Sequence, residues 1–161
     1  MSSIEDYDDN VVIMTLQAET GSDAAAFLIE MVAMYQLYAQ KHHWVTQTHL
    51  TNQVMKLEAT IQFTGQGVYH RLQFEQGTHR VQRIPIAEPL GRVKTSLIHV
   101  LVRPSPSVGE IVGPIGDPQE RIRTYNVPQN RATDHRSNVT IRPLTEVLAG
   151  FLDPFIDALS G

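Results

Sequence analysis

Residues 75–96 read EQGTHRVQRIPIAEPLGRVKTS. Apolar and polar side chains alternate on both flanks, as Arg80-Val81-Gln82-Arg83-Ile84 and as Arg92-Val93-Lys94-Thr95-Ser96-Leu97. A period of two marks a strand with one buried face. Between the flanks lies Pro85-Ile86-Ala87-Glu88-Pro89-Leu90-Gly91, whose two prolines fix φ and remove two backbone donors. Such a connection cannot extend a ladder, so the stretch predicts two strands joined by a stiff loop. Arg80, Arg83, Arg92 and Lys94 surround that loop, and Arg71 comes just before it. A stiff tip framed by cations suits an anionic partner; an ordinary hairpin with a solvated rim has the same composition.

Charge is distributed unevenly around this stretch. The chain has 161 residues and a formal net charge of −4, which argues against a general nucleic-acid binder. Residues 1–30 hold seven acids (Glu5, Asp6, Asp8, Asp9, Glu19, Asp23, Glu30) and no Lys or Arg. Residues 61–100 hold five bases against Glu75 and Glu88, and residues 121–142 hold Arg121, Arg123, Arg131, Arg136 and Arg142 against Asp134. Phosphate binding depends on local rather than net positive charge, so two basic segments in an acidic chain are compatible with it.

Outward from residues 75–96, further elements follow from pattern. Residues 1–10 read as an acidic arm, and 11–18 (VVIMTLQA) as a strand. A turn over 19–23, with Thr20 or Ser22 as the cap, feeds a helix to about Lys41, with Ala24, Phe27, Leu28, Met31, Tyr35 and Tyr38 as its buried stripe. Residues 44–48 and 56–63 read as strands, while 68–75 fits a strand by period. Residues 103–120 contain four prolines and three glycines in eighteen positions and read as a linker. Beyond it come a strand over 121–126, a loop over 127–136, a strand over 137–144, and a helix over 145–159 broken near Gly150 and Pro154. With no cysteine there is neither a disulfide nor a thiolate zinc site, and the seven histidines show no metal spacing. No run of eighteen apolar residues and no secretory or transit signal occurs, so a cytoplasmic or organellar-matrix setting is expected and a membrane is not.

Three blocks carry a resemblance. EQGTHRVQRIP followed by GRVKTS (75–96), RTYNVPQNRATDHRSNVT (123–140) and GVYHRLQFE (67–75) occur in order and resemble the codon-reading region of the bacterial-type class I peptide chain release factors, most of all the branch that reads UAA and UAG. The resemblance covers most of the chain from about Val11. It implies an α+β fold, a mixed sheet with packed helices, and turns 68–75 into a short helix closed at Gly77. It also implies a division into an acidic arm (1–10), a first part of a decoding domain (11–102), the Pro/Gly linker (103–120), and a second part with the C-terminal helix (121–161). In full-length members the position of the linker opens into a domain whose Gly-Gly-Gln tripeptide positions the attacking water. No Gly-Gly-Gln occurs among these 161 residues, so no catalytic residue is expected and the chain is read as a non-enzyme.

The resemblance also assigns a site. Gln82, Pro85, Ile86, Ala87, Lys94 and Thr95 take the codon-recognition positions, and Arg80, Arg83, Arg92, Arg131, His135 and Arg136 are expected to meet phosphates of ribosomal RNA. The family's discriminating threonine aligns with Ala87, which has no donor or acceptor. Its histidine aligns with Lys94, and glycines usual in the strand-to-helix turn align with Glu19 and Ser22. The implied function is ribosomal decoding-site binding, through small-subunit RNA and mRNA in the A site, without peptidyl-tRNA hydrolysis. The alternative is a protein-interaction module that reuses the fold for a non-ribosomal partner. No cofactor or metal is implied, and neither a Gly-x-Ser-x-Gly nor a P-loop motif is present.

Overall fold

The computed structural model describes residues 7–19, 23–85, 88–106 and 118–160. Eight strands form one mixed sheet in the order β2-β3-β1-β5-β4-β6-β7-β8. In chain order the elements are β1 (Tyr7–Glu19), α1 (Asp23–Lys41), β2 (Val45–Asn52), β3 (Lys56–Thr64), α2 (Val68–Leu72) continued by a 3-10 turn (Gln73–Glu75), β4 (Gly77–Arg83) and β5 (Lys94–Pro106), followed by β6 (Arg121–Asn126), β7 (Arg131–Asp134), β8 (Thr140–Ile141), α3 (Leu144–Leu148) and α4 (Asp153–Ser160). The α+β fold expected from the sequence is present.

Alternation sets the faces. In β1 the residues Val12, Met14, Leu16 and Ala18 are buried, as are Ala59, Ile61 and Phe63 of β3 and Ile98, Val100 and Val102 of β5. All point to the side covered by α1, whose expected stripe of Ala24, Phe27, Leu28, Met31, Tyr35 and Tyr38 is buried. Val32, Met34 and Ala39 are buried too, so α1 is wrapped on more than one side by β2, α2 and the C-terminal helices. Gly150 sits where α3 and α4 pass α1: its φ is +97° and a Cβ there would lie 2.7 Å from the Tyr38 backbone nitrogen. No other residue fits that close approach.

Several boundaries differ from the pattern-based expectation. β1 begins at Tyr7, inside the expected acidic arm, because Tyr7 and Asp8 pair with Pro106 and Ser105 after a register shift. β5 likewise runs to Pro106, into the expected linker. The Val102 N–H donates to Gln76 Oε1 at 2.9 Å, so the missing N–H of Pro104, two residues on, faces the same side, beyond the end of β4. The expected loop over 127–136 contains β7, whose Ala132 and Asp134 turn inward. The expected strand over 137–144 shrinks to Thr140–Ile141. Asn138 takes a left-handed φ of 61° before it and Pro143 cannot continue the ladder after it. Residues 68–75 are helical, as the resemblance implied rather than as period suggested. The expected helix caps Thr20 and Ser22 lie outside the described residues.

Candidate RNA-binding site

β4 and β6 run parallel, an arrangement that brings the two basic segments side by side. Arg80 pairs with Thr124 and Gln82 with Asn126; on the next strand Thr124 pairs with Thr133 and Asn126 with Arg131. Residues opposite one another in register share a face, so these six side chains project together from the side of the sheet away from α1. With His135 they line a groove of about 260 Å³. His135 Nε2 lies 2.6 Å from Thr124 Oγ1, Asn126 Nδ2 donates to Gln82 Oε1 at 3.1 Å, and the hydroxyls of Thr133 and Thr140 are 2.8 Å apart. No carboxylate lines the groove among the described residues. Arg80 Nε is buried and has no hydrogen-bond partner among them.

Beneath the groove lies a buried charge network. Arg123, fully buried, donates from both terminal nitrogens to Glu75 at 2.6 and 2.8 Å and from Nη2 to Asp134 Oδ2 at 3.1 Å. Its guanidinium lies over the Phe155 ring, 4.4 Å from the centroid. The Tyr35 hydroxyl also donates to Glu75. Burial alone would raise the Glu75 pKa, but the Arg123 charge and hydrogen bonds hold it below the usual carboxylate range. Asp134 is likewise low despite burial, because Arg136 and Arg123 both serve it. His79 Nε2 is 2.9 Å from the Glu75 carbonyl, which can only accept, so that nitrogen carries the proton, and Nδ1 accepts from the Tyr125 hydroxyl at 2.9 Å. Burial, reinforced by Arg123, lowers the His79 pKa to about 4, so the ring is neutral.

The twelve residues singled out from the sequence fall into four groups. Arg80, Arg131, His135 and Gln82 share the groove. Thr95 is the register partner of Gln82 but lines a larger cleft of about 540 Å³ with Gln17, Ala24, Met55 and Lys56. Arg83, Arg92, Lys94 and Arg136 are engaged by carboxylates: Arg83 by Asp23 at 2.8 Å and Glu30 at 2.7 Å, Arg92 by Glu88 at 3.3 Å, Lys94 by Glu88 at 3.6 Å, and Arg136 by Asp134 at 2.9 Å. Glu88 is held below its ordinary pKa by the Leu90 N–H and then by those two cations. Pro85 is half-buried at the loop, while Ile86 and Ala87 lie outside the described residues. Sequence reading missed Thr124, Asn126 and Thr133. Their signal was the alternation of Arg123-Thr124-Tyr125-Asn126, which sends Arg123 and Tyr125 inward and the two small polar residues out. No group of His, Asp or Glu able to hold a metal occurs among the described residues.

The PCRF domain family matches residues 1–100. Peptide chain release factor 1 of Syntrophobacter fumaroxidans is 29% identical, with 95% of this chain and 67% of that protein covered. The corresponding factor of Streptococcus pneumoniae is 28% identical, with 94% and 66% covered. RF2 of Thermus thermophilus has the same fold, with a TM-score of 0.81 at 19% identity over 93% of this chain and 67% of that one. This chain belongs to the class I peptide chain release factor family, a family of translation termination. It spans about two thirds of the length of the curated relatives it matches. The first of these alignments runs over 238 positions, more than the 161 residues of this chain, so the relative carries residues opposite gaps in it.

Proposed function

We propose that this chain docks at the ribosomal decoding site by placing RNA phosphates in the groove of Arg80, Arg131 and His135, and that it does so without hydrolysing peptidyl-tRNA. One observation carries the reading: of the cations singled out from two separate segments, those left without a carboxylate among the described residues converge on a single concave surface. Two guanidiniums, an imidazole, two hydroxyls and two amides supply donors there, and the unpartnered Arg80 Nε is the kind of buried donor that an anion satisfies. The rigid Arg123–Glu75 network holds β4 and β6 in the register that aligns them. The absence of Gly-Gly-Gln from the sequence supports the non-hydrolytic part: a segment of residues 103–120 is too short to fold around a catalytic backbone amide. Ala87 in place of a hydroxyl residue supports loss of stop-codon discrimination, since a base edge left unpaired costs about 1–3 kcal/mol.

Filter binding to ribosomes programmed with stop or sense codons in the A site tests this reading. The expected result is equal affinity for both, falling steeply as salt rises. A strong stop-codon preference would defeat the loss of discrimination, and salt-independent binding would defeat the phosphate contacts. A release assay on peptidyl-tRNA is expected to show none above background. The alternative, a protein-interaction module, is favoured by the β4–β5 tip, where Arg92 and Lys94 are tied to Glu88 while Ile84, Leu90 and Val93 are exposed.

A further inference from the structure

The two ends of the sheet are finished differently. β8 has two residues, a short edge that offers little to another strand. β2 has eight residues, and among the described residues only β3 pairs with it. Edge strands of this length usually carry Lys, Pro or a bulge against unwanted pairing. Residues 44–55 contain no Asp, Glu, Lys, Arg or Pro, and β2 pairs with β3 over its whole length without a register shift.

The phase of the edge can be read from the hairpin end. The Gln53 N–H donates to the Lys56 carbonyl at 2.8 Å and the Lys56 N–H returns to Gln53 at 3.4 Å. In an antiparallel ladder hydrogen-bonded pairs alternate, so Thr51, His49, Gln47 and Val45 face β3 with their amides. The N–H and C=O groups of Thr46, Thr48, Leu50 and Asn52 therefore point outward, a row of donors and acceptors for another strand.

The side chains name the strand that fits. Apolar residues sit at both ends of this edge: Val45 is 66% exposed at its start, and Val54 and Met55, 93% and 72% exposed, form the hairpin tip just past its end. Neither tip residue has a positive φ, and a Val-Met pair is poor turn chemistry compared with Asn-Gly. A local preference overridden to expose apolar surface marks a contact. Between them the strand is Thr, Gln and His, with one further apolar residue, Leu50, 49% exposed near its middle. Val45, Leu50 and Met55 are evenly spaced, an order that is its own complement under antiparallel two-fold pairing: it sets Val45 of one strand against Met55 of the other and places the axis at Leu50. With no charge on either strand, the approach meets no like-charge repulsion.

We propose that the outer edge of β2 pairs antiparallel with β2 of a second copy of this chain across a two-fold axis, joining the two sheets edge to edge. The groove on β4, β6 and β7 lies on the other half of the sheet and stays open in both copies, so the pairing stands or falls independently of RNA binding. A contact built on one strand pair is small, below roughly 1,200 Å², and a reversible dimer with Kd of about 10–100 µM is expected.

Sedimentation velocity over a concentration series, combined with single-cysteine crosslinking, tests the proposal. The chain has no cysteine of its own, so Leu50→Cys reports symmetric proximity at the axis without background. Association with concentration and a disulfide-linked dimer of Leu50→Cys on mild oxidation support it. Thr48→Pro removes one outward donor, with the exposed Gln36–Thr48 side-chain bond, and leaves the β2–β3 ladder intact; Val54→Lys with Met55→Lys places charge at the exposed hairpin tip. Each is expected to weaken association at least tenfold while the circular dichroism spectrum is unchanged. A chain that stays monomeric into the high micromolar range overturns the self-pairing and leaves the edge to a strand of another protein. A dimer that neither crosslinks through Leu50→Cys nor responds to the tip lysines overturns it in favour of a different interface.

Discussion

The groove and the β4–β5 tip lie on the same strand, carry comparable numbers of cations, and were indistinguishable in sequence. At the groove, Arg80 and Arg131 have no carboxylate among the described residues, and the charges that could have neutralised them are buried below the sheet on Arg123. At the tip, a single carboxylate, Glu88, serves both Arg92 and Lys94, while Arg83 at the base of the loop is held by two acids of α1. A cation already paired on the surface gains little by exchanging its partner for a phosphate. The comparison teaches that the side of the sheet on which the acids fall, rather than the local density of arginine, decides which basic segment is available to an anion.

The largest expected effect comes from the network below the groove. Arg123→Ala leaves Glu75 and Asp134 as buried carboxylates without their cation, and a loss of about 3–5 kcal/mol in urea denaturation is expected. A loss under about 1 kcal/mol would mean that the groove does not depend on the buried pair. A second test is pH. His79 is neutral when folded, with a pKa lowered to about 4, and takes a proton near 6.5 when unfolded. The unfolded chain therefore binds more protons between these values, so stability is fully present above about pH 6.5 and falls as the pH drops towards 4. The contribution is up to about 3 kcal/mol, and His79→Gln is expected to flatten the melting temperature across pH 6.5 to 5.5, above the range in which the carboxylates of the unfolded chain take up protons.

Smaller effects separate groove from tip. Arg131→Gln is expected to weaken binding to small ribosomal subunits about tenfold and to reduce the slope of log affinity against log salt by about one, whereas Arg92→Gln changes affinity less than twofold. Equal losses at the two positions would break the comparison. The smallest effect sharpens it: Glu88→Gln releases Arg92 and Lys94, which should raise RNA affinity about two- to threefold and leave the urea midpoint essentially unchanged.

Much of the fold was legible because it is written in periods. The two-residue alternation of 80–84 and 92–97 gave β4 and β5, and the helical recurrence from Ala24 to Tyr38 gave the core face of α1. Boundaries were less legible at Tyr7, at Pro104 and in β7, since each depends on which neighbouring strand is present to accept or release a hydrogen bond. At the site, the sequence named Arg80, Arg131 and His135 through resemblance but placed Arg83, Arg92 and Arg136 beside them with equal weight.

The sequence by itself determined which residues are inward and which outward along each strand, and that two basic segments stand in an acidic chain. Only the tertiary structure decided which cations are free. Whether Arg123 ends in water or against Glu75, and whether Arg83 meets a phosphate or Asp23, depends on contacts between residues 48 and 60 positions apart in the chain. Coulombic pairing acts over a few ångströms of space, and no local pattern records it.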